Sequence, residues 1–429
     1  MKYYPEGGRS RTGRLLPPKT GMLAMTLQAL VKGINRPVSI VPVYIGYEHV
    51  MEVSSYLKEL KGTDKKKESF FQVFSAVRKL KNYGSGFLNF GEPINLNNFL
   101  DTQVPDWRDA QSLAADKKPR WLTPTVNTLA NDVMGRINQA AAVSGMSLCA
   151  MCLLSAKKHA MAQDELERAI DDYLALLKAA PYSDLSTIPP TDGKALLEST
   201  LKLNKLSVSQ DSFGKIISLK RHDAVALTYY RNNILHLFAL PGLVSAIVFA
   251  YKGLAKDKII VLVGQLYPLL QRELFMYMSH AQAMDYTDRL LSTMLDMGLL
   301  RSEQDAILPP AATSKAFYSS WLLNRSIQET LQRYAAVLTI LKKEQTISRG
   351  RLEKQSREFA ERLAALHGIN SPEFFDKNVL STFIHALKDN ELINASSEGQ
   401  LEHSEASEAL LATVENLISP EITQRLQQI

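Results

Sequence analysis

The chain begins with two kinds of short apolar segment, one with the spacing of a helix and one with the composition of a β-strand. Residues 22–34 place apolar side chains at helical spacing and end beside a glycine, which predicts a helix. Residues 37–48, PVSIVPVYIGYE, are β-branched and almost wholly apolar, as in a buried strand of a parallel sheet. A charged helix is predicted over 55–81, and a strand over 84–96 that leaves through a Gly-Glu-Pro turn. Loop, helix and buried strand together predict part of an α/β domain.

A different pattern follows residue 124, where helical periodicity dominates. Residues 101–124 contain three prolines and no period, so we take them as a boundary. The predicted organisation is an α/β part over 1–100, a linker over 101–123 and a mainly α-helical region over 124–429. Helices are predicted at 124–160, 163–179, 192–204, 222–251, 256–298, 313–343, 346–367 and 373–390, with a β-rich interruption at 205–220 and a polar, acidic surface loop at 394–408.

The most apolar segment, Ile234–Tyr251, admits three interpretations. It has 18 residues, barely enough to span a bilayer, and Pro241 interrupts it. A buried core helix, an interfacial or membrane-dipping element and a true span all fit this pattern. Basic residues on both sides, Arg231, Lys252 and Lys256, suit anionic headgroups in the second case.

Charge is concentrated at the start of the chain. The 429 residues are 45% hydrophobic and 22% charged, which is typical of a globular protein with more than one domain. The first 40 residues hold seven Lys or Arg and a single acid, an excess equal to the net charge of +6 for the whole chain. Such a local positive field favours an anion site over an extended nucleic-acid surface.

The two cysteines, Cys149 and Cys152, form one CxxC in an apolar, helix-like stretch. The spacing also fits a redox pair or half of a metal site, but no second pair accompanies it. We therefore expect two buried core thiols in a reducing cytosol.

The basic residues lie in EGGRSRTGRLLPPKTG, residues 6–21, which we call the basic loop. Its glycines allow backbone N–H groups to approach a ligand, and its arginines match phosphate oxygens. A solvated turn and a nucleic-acid contact remain alternatives. The helix predicted directly after the loop favours an anion site, since its N-terminal dipole points toward the loop.

Four segments resemble the glycerolipid acyltransferases, specifically the bacterial glycerol-3-phosphate 1-O-acyltransferases. YYPEGGRSRTG is similar to their FxEGxRS block, and SIVPVYIGYEHVMEV to the apolar-proline block that follows. NFGEPI lies where these enzymes carry a similar turn, and YYRNNILHLFALPGLV resembles part of their helical region. The resemblance covers essentially the whole chain.

The resemblance implies a site for glycerol 3-phosphate, and no cofactor or metal. Arg9 would pair with the phosphate, while Ser10 and the Gly7–Gly8 backbone would add neutral donors. Glu6 would accept from a glycerol hydroxyl or fix the loop, and Pro42 would shape the strand end. The implied substrate-binding set is Glu6, Gly7, Gly8, Arg9, Ser10, Arg11 and Pro42, with Arg11 as a further phosphate contact.

The implied reaction transfers an acyl group from acyl-carrier protein or acyl-CoA to the glycerol 1-hydroxyl, the first step of phospholipid (CDP-diacylglycerol) synthesis. These enzymes take the hydroxyl proton with the His of an HxxxxD block placed well before EGxRS. Only five residues precede Glu6, so we expect no catalytic residue in this chain and an inactive fragment. By the same resemblance, the parent enzyme would be peripheral on the cytoplasmic side of the inner membrane, bind a phospholipid surface and bind no nucleic acid.

One HxxxxD string, His280–Asp285, follows the basic loop instead of preceding it. Five residues on a helix set its two side chains about 140° apart, so they cannot pair. His49 follows the strand predicted at 37–48, which could bring it near the site, but we interpret it as structural. The other candidates, His159, His222 and His236, have no Asp or Ser partner at a telling spacing.

Two rival functions stay open. One is a non-catalytic anion-binding or scaffold protein that keeps the loop without the dyad. The other is acylation of lysophosphatidate, which the long helical region disfavours.

Overall fold

The computed structural model describes residues 2–8, 10–33, 36–50, 84–112, 118–396 and 398–428. Two predictions fall outside this range. They are the charged helix at 55–81 and the position of Arg9.

The first part of the chain combines helices with two small sheets. Its elements are α1 Gly21–Val31, β1 Ser39–Ile40, β2 Val43–Tyr47, β3 Gly86–Phe90, β4 Ile94–Asn95, α2 Leu96–Gln103 and α3 Leu122–Gln139. The helix and the strands predicted for this part are confirmed. Asn95 starts α2, because its side-chain oxygen accepts from the backbone N–H groups of Asn97 and Asn98.

Strand pairing differs from the expectation. Among the described residues β1 pairs with β4 and β2 with β3, both antiparallel, so the parallel arrangement predicted for 37–48 is wrong there. Strand β2 is buried on one face only. Ile45 and Tyr47 on the other face lie exposed beside Leu88 and Phe90 of β3. The almost wholly apolar sequence of β2 therefore predicted burial on both faces, but only one face is buried.

Helices α1 and α3 supply most of the core of this first part. Leu23 and Leu27 are fully buried and join one cluster with Trp107 and with Leu129 of α3. The 101–123 segment itself contains the end of α2 and a 3-10 helix, Trp107–Ser112. Contacts thus cross the predicted boundary, and the division into domains stays a prediction.

The second part is mainly helical, as predicted. Its helices are α4 Gly145–Ser155, α5 Gln163–Ala179, α6 Gly193–Leu201, α7 Arg221–Asn232, α8 Leu235–Tyr251, α9 Lys256–Leu274, α10 His280–Asp296, α11 Phe317–Glu344, α12 Arg349–His367, α13 Lys377–Asp389, α14 Glu405–Leu417 and α15 Pro420–Leu426. Short 3-10 helices cover Lys157–His159 and Pro372–Phe375.

Three small antiparallel sheets lie among these helices. Strands β5 Ala160–Ala162, β6 Ser207–Asp211 and β7 Gly214–Ser218 form the first, and β6 and β7 confirm the predicted interruption at 205–220. The others are β8 Leu254–Ala255 with β9 Arg301–Glu303 and β10 Ala306–Leu308, and β11 Thr346–Ile347 with β12 Asn394–Ala395 and β13 Leu401–Glu402.

Three predicted long helices are each two helices. The 124–160 helix is α3 and α4, because Ser144 begins a new helix with a capping box to Ser147. The 256–298 helix is α9 and α10, and Phe275 ends α9 in a left-handed conformation. The 222–251 helix is α7 and α8, which meet at an angle of 93°.

Helix α8 is the core helix of the second part. Every residue from Leu235 to Val248 is buried, and α8 packs against α11. Within the described residues no one helix has the length and apolar composition to cross a bilayer, and only the bent pair of α7 and α8 meets those criteria together. The structure therefore agrees with the core-helix interpretation of Ile234–Tyr251.

Both cysteines are free and fully buried on α4, as predicted. Burial raises the pKa of the Cys149 thiol to about 12. These thiols are packing groups, because a reactive thiol needs a lowered pKa.

Shortening Leu27 to Ala should destabilise the chain by about 2–5 kcal/mol, because it removes a fully buried side chain from the α1 core. Met25→Ala on the same helix is the matched control. Met25 is 56% exposed, and its loss should cost less than about 0.5 kcal/mol. Urea unfolding of both variants measures the difference, and equal losses would mean that α1 does not pack as described.

Candidate functional site

A cavity of about 390 Å³ lies between the basic loop, strand β2 and the helical region. Its volume is within the range of small-molecule sites. The loop contributes Glu6, Gly8, Ser10 and Arg14, and β2 contributes Val43 to Ile45 together with Tyr47. The helices complete the wall with Asn138, Tyr229, Asn232, Asn233, His236, Glu273 and Phe275.

Glu6 closes the basic loop on itself. Its carboxylate accepts a hydrogen bond of 2.8 Å from the backbone N–H of Leu16, and the Lys19 N–H donates to the Pro5 carbonyl at 2.7 Å. Burial raises the pKa of Glu6, and the Leu16 hydrogen bond opposes that shift. Of the two roles expected for Glu6, the structure shows this loop-fixing contact.

Two glycines let the loop turn and approach the helices. Gly7 has φ +63°, and a Cβ there would lie 2.7 Å from Cγ of Lys19. Gly13 has φ +76°, and a Cβ would lie 2.1 Å from the carbonyl oxygen of Tyr229 at the end of α7. The loop therefore lies directly on the helical region where only glycine fits.

Other predicted residues differ in their relation to the cavity. The Ser10 hydroxyl is buried at the cavity wall and has no hydrogen-bond partner among the residues that the structure describes. Gly8 also lines it, with nothing within 4 Å of the position of a Cβ. Arg9 lies outside the described residues. Pro42 is buried just before β2, and its carbonyl oxygen accepts a hydrogen bond of 2.8 Å from the Gly91 N–H. Pro42 itself does not line the cavity, whereas its neighbour Val43 does.

Arg11 faces a second cavity of about 300 Å³ on another side of the loop. That cavity reaches the start of α13 through Asp376, Asn378 and Val379. The two cavities share the wall formed by Arg14, Leu15, Glu273 and Phe275.

Arg14 joins the loop to the helical region through a buried ion pair. Its Nη1 donates to Oε1 of Glu273 on α9, and Nη2 of Arg333 on α11 donates to the same oxygen. Burial disfavours the charge on Arg14, yet the carboxylates of Glu273 and Glu373 outweigh burial and raise its pKa. Burial likewise acts to raise the pKa of Glu273, but the two arginines hold it below the usual value.

A second buried ion cluster centres on Arg231 of α7. It donates to Glu329 at 2.9 Å and to Glu373, and the side-chain amide of Asn232 donates to Glu373 at 2.8 Å. The same amide nitrogen lies 2.7 Å from the carbonyl oxygen of Thr12 and donates to it. The first cluster therefore includes a loop residue, Arg14, whereas the second reaches the loop only through Asn232. Together the two clusters contain three arginines and three glutamates.

His236 lies at the cavity but is not placed as a base. Its Nε2 is 2.9 Å from the backbone carbonyl oxygen of Asn138, and burial lowers its pKa to about 4. A neutral imidazole bonded to a main-chain oxygen has no carboxylate to orient it. His280 also contacts a carbonyl, that of Gly264 at 3.0 Å, and lies outside the cavity, as expected from the rejection of His280–Asp285.

Sequence patterns missed the helical half of this site. Asn138, Asn232, His236 and Glu273 come from four different helices. Asn232 and His236 lie in the segment YYRNNILHLFALPGLV, but the resemblance of that segment assigned no role to either residue. One sequence signal could have indicated part of this wall, namely charged residues beside or within apolar segments, because a charge in such a place is buried and needs a partner. Arg231 precedes the most apolar segment of the chain, and Glu273 lies in the last turn of the apolar helix α9.

Comparison with known proteins gives the family. Residues 56–396 match the model of the glycerol-3-phosphate acyltransferase C-terminal region, and residues 1–46 match that of the acyltransferase domain. The chain belongs to the glycerol-3-phosphate acyltransferase family. This agrees with the α/β part and the helical region seen in the structure.

Named relatives align along the whole chain or most of it. The chain is 89% identical to "Glycerol-3-phosphate acyltransferase" of Pseudoalteromonas atlantica over 429 residues, which are 100% of the chain and 53% of the relative. Identity to the protein of the same name in Alteromonas mediterranea is 59% over the same length, 52% of that relative. For Aeromonas hydrophila it is 50% over 389 residues, 90% of the chain and 48% of the relative. The chain thus spans about half the length of these relatives.

Substituting Gly13 by Ala should destabilise the chain by at least about 1 kcal/mol, because it combines a left-handed backbone with a clash against Tyr229. Gly8→Ala is the control in the same loop, since its added methyl group meets no atom. That variant should stay within about 0.5 kcal/mol of the parent chain in chemical unfolding. Similar unfolding midpoints for the two variants would argue against the close contact of loop and helix.

Proposed function

We propose that this chain forms the glycerol 3-phosphate site of a glycerol-3-phosphate 1-O-acyltransferase. The observation that carries this proposal is the 390 Å³ cavity, in which the basic loop faces buried polar groups of the helical region. The Ser10 hydroxyl, which has no partner in the described part of the chain, provides a donor or acceptor for a polar ligand. The local excess of positive charge suits a phosphorylated one.

The reaction joins the glycerol 1-hydroxyl oxygen to the acyl carbon of a thioester and breaks the C–S bond. The hydroxyl proton passes to a base, and the thiol of acyl-carrier protein or coenzyme A leaves. In our proposal the residues of this chain bind and orient glycerol 3-phosphate. Arg9 and Ser10 hold the phosphate, and Glu6 keeps the loop closed through Leu16.

The proton transfer is not assigned to this chain. Among the cavity residues that the structure describes, the one imidazole belongs to His236, which is buried, neutral and bonded to a carbonyl. A base needs a carboxylate or similar group to orient it and to stabilise its charge. We therefore propose that the 429-residue chain binds the substrate without turning it over.

We also propose a peripheral location at the cytoplasmic face of the inner membrane. A product that carries one acyl chain and a phosphate is amphiphilic, and it leaves most readily into a lipid surface.

Glycerol 3-phosphate should bind the chain more tightly than glycerol in isothermal titration calorimetry, because the phosphate supplies charge-assisted hydrogen bonds. Arg9→Ala should weaken binding by about tenfold or more. Arg36→Ala, an exposed arginine outside the loop, is the control and should bind as the parent does. Equal losses in both variants, or equal affinity for glycerol, would contradict a phosphate site in the loop.

The purified chain should form no lysophosphatidate from glycerol 3-phosphate and acyl-CoA above the rate without protein. The full-length relative from Alteromonas mediterranea, assayed in parallel, shows that the assay detects turnover. Measurable product from the 429-residue chain, removed by His236→Gln, would overturn the assignment of His236 as a structural residue.

A further inference from the structure

Glu273 has a position unlike that of the other buried carboxylates. It lies in the last turn of α9, its side chain is almost fully buried, and it lines both cavities. Its Oε1 accepts from Arg14 and Arg333, and the Tyr334 hydroxyl also acts to lower the pKa of this carboxyl. One carboxylate oxygen therefore links the basic loop to α11.

Arg14 is not needed to balance the charge of Glu273. Arg333 is fully buried and already pairs with Glu273, so these two residues would form a neutral pair alone. Burying a second guanidinium carries a desolvation cost. The buried Arg14 holds residues 12–14 against the helices. There the Tyr229 carbonyl lies beside Gly13, and the Asn232 side-chain amide donates a hydrogen bond to the Thr12 carbonyl.

We propose that Glu273 is a positioning residue for glycerol 3-phosphate binding, acting through Arg14 on the basic loop. This inference rests on the proposed function. Ser10 and Gly8 lie on the cavity wall only four and six residues before Arg14, so the place of Arg14 constrains theirs. The helical region thereby sets the shape of a site whose recognisable motif lies entirely in the loop.

Glu329 provides the matched control. It is also a glutamate on a helix of the same region, and it pairs with the buried Arg231 at 2.9 Å. Its hydrogen-bond partners among the described residues, Arg231 and Ser371, both lie outside the loop. Glu273→Gln and Glu329→Gln both replace an ion-paired carboxylate with an amide of the same shape. A purely structural role predicts similar effects of the two substitutions, whereas positioning predicts that they differ.

The test measures two quantities on the full chain. Titration calorimetry gives the affinity for glycerol 3-phosphate, and limited trypsin digestion gives the rate of cleavage after Arg14. We expect Glu273→Gln to weaken binding by about tenfold, equivalent to about 1.4 kcal/mol, and to speed cleavage after Arg14. Glu329→Gln should do neither, and Glu273→Asp, which keeps the charge, should recover most of the affinity.

A double-mutant cycle tests the route through Arg14. Arg14→Gln should weaken binding as much as Glu273→Gln, and the double variant should be no weaker than either single one. Additive losses would overturn the proposal, as would equal effects of Glu273→Gln and Glu329→Gln. If Glu273→Gln fails to fold, Arg14→Gln decides, because it leaves the Glu273–Arg333 pair intact: reduced affinity with a native melting temperature supports the inference, and full affinity overturns it.

The experiments distinguish failure of the proposed function from failure of the positioning role of Glu273. If the parent chain binds no glycerol 3-phosphate, the substrate assignment is wrong, and the trypsin rates alone judge the positioning. Faster cleavage after Arg14 in Glu273→Gln than in Glu329→Gln would then support the link, and equal rates would overturn it.

Discussion

The burial of Arg14 against Glu273 is the interaction on which the candidate site depends. A guanidinium is rarely buried, because leaving water costs several kcal/mol per ion. Here part of the cost is offset by a carboxylate oxygen of Glu273, which Arg14 shares with Arg333. The loop, the floor of the cavity and the long helix α11 consequently meet at one point.

The second ion cluster extends this constraint. Arg231, Glu329 and Glu373 carry one negative charge in excess, and Arg14, Glu273 and Arg333 one positive charge in excess. The carboxylate of Glu373 acts on Arg14 and raises its pKa, so the two clusters are electrostatically coupled. Asn232 links the second cluster to the loop by hydrogen bonds, since its amide nitrogen donates both to Glu373 and to the Thr12 carbonyl.

Local patterns predicted what is local in this structure. Helical spacing found α1 and α5, and the alternation at 205–220 found the β6–β7 hairpin, because these elements are specified by their own residues. The long predicted helices failed at Ser144 and Phe275, where a capping box and a left-handed residue interrupt an apolar pattern that continues. Burial on both faces of β2 was expected from its composition, but burial depends on what covers a strand and not on its residues alone.

In the candidate site, too, the part specified by neighbouring residues was predicted and the part formed by distant residues was not. The basic loop was recognised from its arginines and glycines, which lie within sixteen residues. Its helical wall was not, since Asn138, Asn232 and Glu273 are widely separated in sequence and meet only through packing of the helices. The helical region, for which the sequence suggested no role, thus forms half of the cavity that we assign to glycerol 3-phosphate.

Hydrogen–deuterium exchange with and without glycerol 3-phosphate tests this account most directly. A ligand that fills the cavity should slow exchange both in peptides covering the basic loop and in peptides covering the end of α9, while α5, none of whose residues lines the cavity, remains unchanged. Protection of both walls together would support a shared site. Protection confined to the loop, or no protection at either wall, would contradict the claim that loop and helical region form one binding site.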